Sequence, residues 1–161
     1  VVIVYQSKTG FTRKYAEMLA ANTGLAAFPV NEISQVDHNE EIIFLGWMKA
    51  GQIQGLKKTR KFRIAAVCGS GTGRTAEPSP ETIIARNKIE GLPFFYLRSG
   101  CLPLEQLKGT NRIMLSFYLK IIKKRKDKDE EVLEAISIVE NGFDGVKEEN
   151  LEPVIAWLNA R

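Results

Sequence analysis

Ser7, Thr9 and Thr12 crowd around Gly10, directly after the apolar run Val1-Val2-Ile3-Val4-Tyr5 and directly before the helical pattern of Tyr15, Met18 and Leu19. A strand, a hydroxyl-rich turn and a helix start, in that order, aim free backbone N–H groups and the positive end of the helix dipole at one spot. That is the chemistry of phosphate binding. Lys8 adds a cation, Gly10 lets the backbone close up, and Phe11 opens the helix. The competing reading is an ordinary helix N-cap, a position that Ser and Thr favour in any case. Neither a Gly-x-x-x-x-Gly-Lys-Ser/Thr loop nor a three-glycine dinucleotide fingerprint occurs here.

The elements that must position this turn follow from the apolar patterning. Residues 1–5 read as a buried strand and residues 11–23 as an amphipathic helix stopping near Asn22 and Gly24. A short second strand is expected around 26–30, a third at 42–46 and a fourth at 63–68, the last two followed by glycine-rich turns. Ser79-Pro80-Glu81 has the makings of a helix start, leading into Ile83, Ile84, Asn87 and Lys88, and a fifth strand follows at 94–97. Short continuous apolar strands alternating with helical patterns argue for an α/β protein with a parallel sheet covered on both faces, in three layers. Val132, Leu133, Ile136 and Val139, with Asn141-Gly142 as a stop, and then Leu151, Val154, Ile155 and Leu158 predict two packing helices near the end.

Composition adds bounds. The 161 residues are 44% hydrophobic and 26% charged, which suits one domain over 1–161 with its own core. No apolar run approaches the roughly 18 residues of a spanning helix, and the first run lacks the basic flank of a signal peptide, so a cytoplasmic protein is expected. Cys68 and Cys101 make no disulfide framework and are expected as reduced thiols. The net charge of +4 hides a split, since residues 49–63 carry six cations and no acid while residues 129–152 hold nine acids against Lys147 alone. Such a basic patch suits anionic ligands or partners, or is simply a solvated face. His38, among Asp37, Asn39, Glu40 and Glu41, reads as a solvated loop residue, and no metal site is expected.

The Ser7-Lys8-Thr9-Gly10-Phe11-Thr12 string resembles the FMN-phosphate loop of flavodoxins. Ile43-Phe44-Leu45-Gly46 with Ala50-Gly51, and Phe95-Tyr96-Leu97-Arg98-Ser99-Gly100, are similar to flavodoxin-domain proteins related to menaquinone-dependent protoporphyrinogen oxidase. The resemblance implies a flavodoxin-like sheet of five parallel strands in the order 2-1-3-4-5, with an extra helical segment after the fifth strand at about 102–128. It also implies FMN, held by its phosphate on Ser7 to Thr12 at the carboxyl ends of the first and third strands. The loops after the third and fourth strands would then flank the flavin ring, through Trp47, Met48, Lys49, Ala50 and Gly51 on one side and Gly69, Ser70 and Gly71 on the other. Trp47 either stacks on the flavin or packs in the structure, and Cys101 is expected near that site. The implied function is electron transfer or oxidoreductase chemistry with a redox partner protein or a small-molecule electron acceptor of quinone or porphyrin type, and no nucleic acid. Flavodoxins that carry electrons are typically acidic, so the basic charge points away from a simple carrier and toward an anionic substrate or a membrane-surface partner.

Two rivals stand beside this reading. Cys68-Gly69-Ser70-Gly71-Thr72-Gly73-Arg74-Thr75 fits the Cys-x5-Arg-Ser/Thr pattern of cysteine phosphatases, in which a thiolate attacks phosphorus while loop N–H groups and the arginine hold the oxygens. Val67 stands where that family usually has histidine, and Ala76 to Pro80 delay the following helix. The other rival is an interaction domain on the same fold without a cofactor. Finally, residues 113–122 are apolar at eight of ten positions and Lys123-Lys124-Arg125-Lys126 follow. Ten helical residues reach about 15 Å, too short to span a bilayer. The segment 113–126 is expected to pack in the core or a dimer, to cover the substrate, or to touch a membrane from the side.

Overall fold

The computed structural model describes residues 1–161. In chain order the elements are β1 (Val2–Gln6), α1 (Phe11–Thr23), β2 (Ala27–Pro29), β3 (Glu41–Lys49), β4 (Gln52–Ile53), β5 (Arg63–Gly71), α2 (Pro80–Asn87), β6 (Phe94–Arg98), α3 (Gly109–Lys123), α4 (Glu130–Asn141) and α5 (Glu152–Asn159). Short 3-10 turns lie at Val30–Gln35, Leu56–Thr59, Leu104–Gln106 and Glu148–Leu151. The chain divides into two units, Val1–Ser99 with Gly145–Arg161, and Gly100–Asp144.

The first unit is α/β, with a mostly parallel sheet flanked by helices. Its strands lie in the order β2-β1-β3-β5-β6, all neighbours parallel, and β4 branches from β3 as an antiparallel partner. The sheet thus has six strands where five are expected, β4 being the addition. The reason is local. Gly46 does not end β3, which runs on to Lys49, turns back at Ala50-Gly51 and pairs Met48 with Ile53 and Lys49 with Gln52. Gly46 is a site of close approach, because a side chain there would collide with Ile53, the Gln54 carbonyl and Phe44.

Period-two alternation sends β3 into two cores. Ile43 and Leu45 join Ile3, Tyr15, Leu19, Leu97, Leu151 and Val154 on the face covered by α1 and α5. Ile42 and Phe44 join Val4, Val30, Leu56, Val67 and Ile83 on the face covered by α2 and the 3-10 turns. These side chains are at most 3% exposed, and each such burial contributes roughly 1.5–3 kcal/mol. Helix boundaries follow the punctuation of the sequence. Gly24, left-handed at φ +71°, closes α1 by donating to the Ala20 carbonyl, and the Ser79 hydroxyl accepts from Thr82 N–H ahead of Pro80 at the start of α2.

The second unit is a helix pair. Leu115, Leu119 and Ile122 of α3 meet Val132, Ala135, Ile136 and Val139 of α4. Asp129 caps α4 by accepting from Val132 N–H at 2.9 Å. Cys101 and Phe143 exchange backbone hydrogen bonds of 2.9 Å in both directions, tying the ends of the unit together. Gly142 sits at φ +67° against the Cys101 carbonyl and Pro103, leaving no room for a side chain. The unit is wider than the segment of about 102–128 read from the sequence, because α4 packs on α3. Leu133, expected on the packing face, is 53% exposed. No helix of the chain is long and apolar enough to cross a membrane.

Candidate functional site

Parallel register decides which residues share the carboxyl edge of the first unit's sheet. Gln6 stands beside Gly46, Gly46 beside Gly69, Trp47 beside Ser70, and Gly69 beside Tyr96. Three stretches far apart in sequence therefore end in one row: the turn after β1, the far end of β3 and the far end of β5.

The turn itself is built around Gly10. At φ +95° this residue is left-handed, and a Cβ there would point into open space, so the conformation and not crowding selects glycine. Gly10 N–H donates to the Ser7 hydroxyl oxygen at 3.1 Å, which closes the turn. The first intrahelical bond runs from Lys14 N–H to the Gly10 carbonyl, and no side chain caps this end of α1. The N–H groups of Phe11, Thr12 and Arg13 thus stand at the positive end of the helix without a capping oxygen, which answers the N-cap alternative in the negative. Lys8 and Thr9 are exposed beside them.

Two contacts lock this turn to its neighbours. The hydroxyls of Thr12 and Ser70 lie 2.7 Å apart in a buried hydrogen bond, joining α1 to β5. The Lys8 ammonium sits 5.3 Å from the centroid of the Trp47 ring, a cation–π contact that joins the turn to β3. The Thr12 hydroxyl is turned inward to Ser70 and its side chain is buried, and Phe11 is buried likewise.

Farther along the same strands, Met48, Ala50, Gly51, Gly71, Thr72 and Tyr96 line a cavity of about 170 Å³, with Gly73 and Glu77. Gly69 and Gly71 serve it by omission, since side chains there would strike Met48, Phe94 and Tyr96. The Tyr96 phenol donates to the Gly73 carbonyl at 2.8 Å, and burial, aided by the Glu77 carboxylate, pushes its pKa up to about 12. Lys49 is exposed on the hairpin. Ala50, at φ +49°, and Gly51, at φ +75°, form the two-residue turn of that hairpin, a conformation that costs Ala50 of order 1 kcal/mol. Buried Asn87 holds the hairpin from behind: its side-chain amide donates to the Gly51 carbonyl at 2.8 Å and its oxygen accepts from Ile53 N–H at 2.8 Å. Arg86 adds a bond to the Ala50 carbonyl.

Tyr96, Thr72 and Glu77 were missed as site residues in the sequence; only their position after β5 or on β6 hinted at them. Asn87 reads from the sequence as part of a helical pattern, and nothing in its spacing reveals its hydrogen bonds to the hairpin. A larger hollow of about 480 Å³ lies along Gln52 to Lys58 and the end of α2, with Lys57, Lys58, Arg60, Arg86 and Lys88 on its walls and no acid. Arg60 is engaged there with the Asn87 and Lys88 carbonyls, and Arg86 with the Ala50 carbonyl.

The phosphatase pattern fails on geometry. Cys68 lies inside β5, fully buried, and the strand continues through Gly69, Ser70 and Gly71, so these residues form no loop around the sulfur. Burial pushes the thiol up to about 12, the opposite of an activated thiolate. Cys101 belongs to the second unit, where its thiol donates to the Leu102 carbonyl at 3.3 Å. His38 is exposed and stacks on Phe62 with ring centroids 4.9 Å apart. Searches with protein-family models and against curated proteins return no match to this chain.

Proposed function

We propose that this chain is a flavodoxin-like FMN protein that performs electron transfer, or oxidoreductase chemistry on a quinone- or porphyrin-type partner. One observation carries the reading: the uncapped start of α1 follows a hydroxyl-rich turn and is tied, through Lys8–Trp47 and Thr12–Ser70, to the two strand ends that would flank a planar ring. The donor set fits a phosphate monoester. Three helix-start N–H groups, the Thr9 hydroxyl and the Lys8 ammonium all favour negative charge, and no acid lies within Ser7 to Thr12.

The remaining residues divide the other tasks. Trp47 and the Lys49 to Gly51 hairpin bound one side of the ring position, and Ser70 and Gly71 the other. Met48 and Tyr96 line the adjoining cavity with thioether and phenolic surface. Tyr96 stays protonated at neutral pH and keeps the Gly73 turn in place by its hydrogen bond. FMN, when bound, supplies the redox chemistry, while the protein supplies binding, orientation and local field.

Flavin extracted from the purified protein, or exchanged into it, tests the reading. FMN fluorescence should be quenched on addition of the apoprotein and FAD should bind far more weakly, with Gly10→Val abolishing the quench. Absence of quenching by the wild-type chain with excess FMN would sink the assignment. Oxidation of the reduced holoprotein by a quinone and by a porphyrin-type acceptor then separates the two partner classes.

A further inference from the structure

Helix α3 carries two apolar faces. One, Leu115, Leu119 and Ile122, is spent on α4. The other consists of Ile113 (71% exposed), Met114 (57%), Phe117 (66%), Tyr118 (44%) and Ile121 (51%), which at 100° per residue form one stripe roughly opposite the first. Large side chains so exposed on a single face mark a contact surface. The charges beside the stripe identify its partner. Arg112, Lys120 and Lys123 are the only charged residues of α3, Lys124-Arg125-Lys126 follow at its end, and the helix contains no acid. Lys120 and Lys124 border the stripe by helical position, while Lys123 pairs with Glu140 of α4.

We infer that this face of α3 docks on an anionic lipid surface, lying in the plane of the headgroups. Fifteen residues span about 22 Å, enough for a helix at the interface and too short to cross the bilayer. The apolar stripe enters the headgroup–acyl boundary, the lysine stems follow it, and their ammonium groups meet lipid phosphates. A second copy of the chain fits less well, since pairing α3 with α3 in either direction sets cations against cations with no carboxylate on either helix. The inference is independent of the flavin.

The test is co-sedimentation of the full chain with vesicles of phosphatidylcholine mixed with phosphatidylglycerol, compared with phosphatidylcholine alone. Binding is expected to the mixed vesicles, weakening steeply as salt is raised. Ile113→Ser, Phe117→Ser and Ile121→Ser together should lower the partition coefficient at least about tenfold. Lys120→Ala with Lys124→Ala should lower it about fivefold per charge on mixed vesicles and hardly at all on neutral ones. Because these residues are exposed, circular dichroism of both variants should match the parent. Failure of the wild-type chain to bind mixed vesicles overturns the proposal. So does undiminished binding by the triple variant, or a stable dimer that the triple variant dissolves while the parent ignores vesicles.

Discussion

Helices α1 and α3 are of similar length and both are rich in apolar side chains, yet α1 hides nearly all of its large ones while α3 displays five of its eight. In α1, Phe11, Tyr15, Ala16 and Leu19 form one stripe, each at most 8% exposed, and Tyr15, Ala16 and Leu19 pack into the core built with the sheet. In α3, two stripes compete for one partner helix. A single stripe matched to a single neighbour makes a structural element; a second stripe without a neighbour makes a surface with a task elsewhere. The same contrast holds within α1, since its apolar face is satisfied by packing while its first-turn N–H groups have no side-chain cap.

Truncation should divide the two helices most sharply. Leu19→Ala, which empties a fully buried site, should lower unfolding free energy by about 2–5 kcal/mol in urea titration. An unchanged urea midpoint would break the comparison at its base. Next in size is Asn87→Ala, which leaves the Gly51 carbonyl and Ile53 N–H without their buried partners. About 2–4 kcal/mol should be lost, with amide exchange at Ile53 accelerated; unaltered exchange there would mean that the hairpin does not depend on Asn87.

Gly10→Ala sharpens the claim about the helix start. With open space around the new methyl, only the left-handed backbone opposes it, so stability should fall by about 1–2 kcal/mol while FMN affinity drops more than the fold does. Equal losses in both would reduce the turn to a structural role. A pH series is the fourth test. Cys68 and Tyr96 are raised from 9.0 and 10.0 to about 12, the thiol by burial and the phenol by burial and then Glu77. Both bind their protons more tightly folded than unfolded. Their contribution is therefore complete below about pH 9 and is lost as pH climbs toward 12. The thermal midpoint should decline across that window, and Cys68→Ala should flatten its lower part; a midpoint steady to pH 12 contradicts the burial of both groups.

The smallest effect is predicted where the apolar surface is largest. Replacing Ile113, Phe117 and Ile121 by serine should shift the thermal midpoint by only a degree or two, on the order of 0.5 kcal/mol or less. A collapse of stability would place this stripe in a core and erase the contrast with α1.

Much of this architecture could be read from local chemistry. Ser79 as a cap, Gly24 and Gly142 as helix stops, and the apolar runs of β1, β3, β5 and β6 act through their own backbone and nearest neighbours, so spacing alone reveals them. The turn from Ser7 to Gly10 is legible for the same reason, because its shape depends on four consecutive residues. What local pattern does not hold is the direction of a polar group at a crowded edge. Nothing near Thr12 in the sequence shows that its hydroxyl meets Ser70 at 2.7 Å, 58 residues away. Cys68 looks like a nucleophile until β3 and β6 close over it on either side.

Sequence by itself therefore determined the α/β alternation, the turn that ends β1 and the charge split, since each is a sum over near neighbours. Tertiary structure alone decided that Gly46 continues a strand, that Asn87 holds a hairpin, that Tyr96 lines a cavity, and which of the two apolar faces of α3 is left to solvent. Those outcomes depend on which distant surface buries a group or accepts its hydrogen bond, and periodicity within one helix or strand carries no record of that.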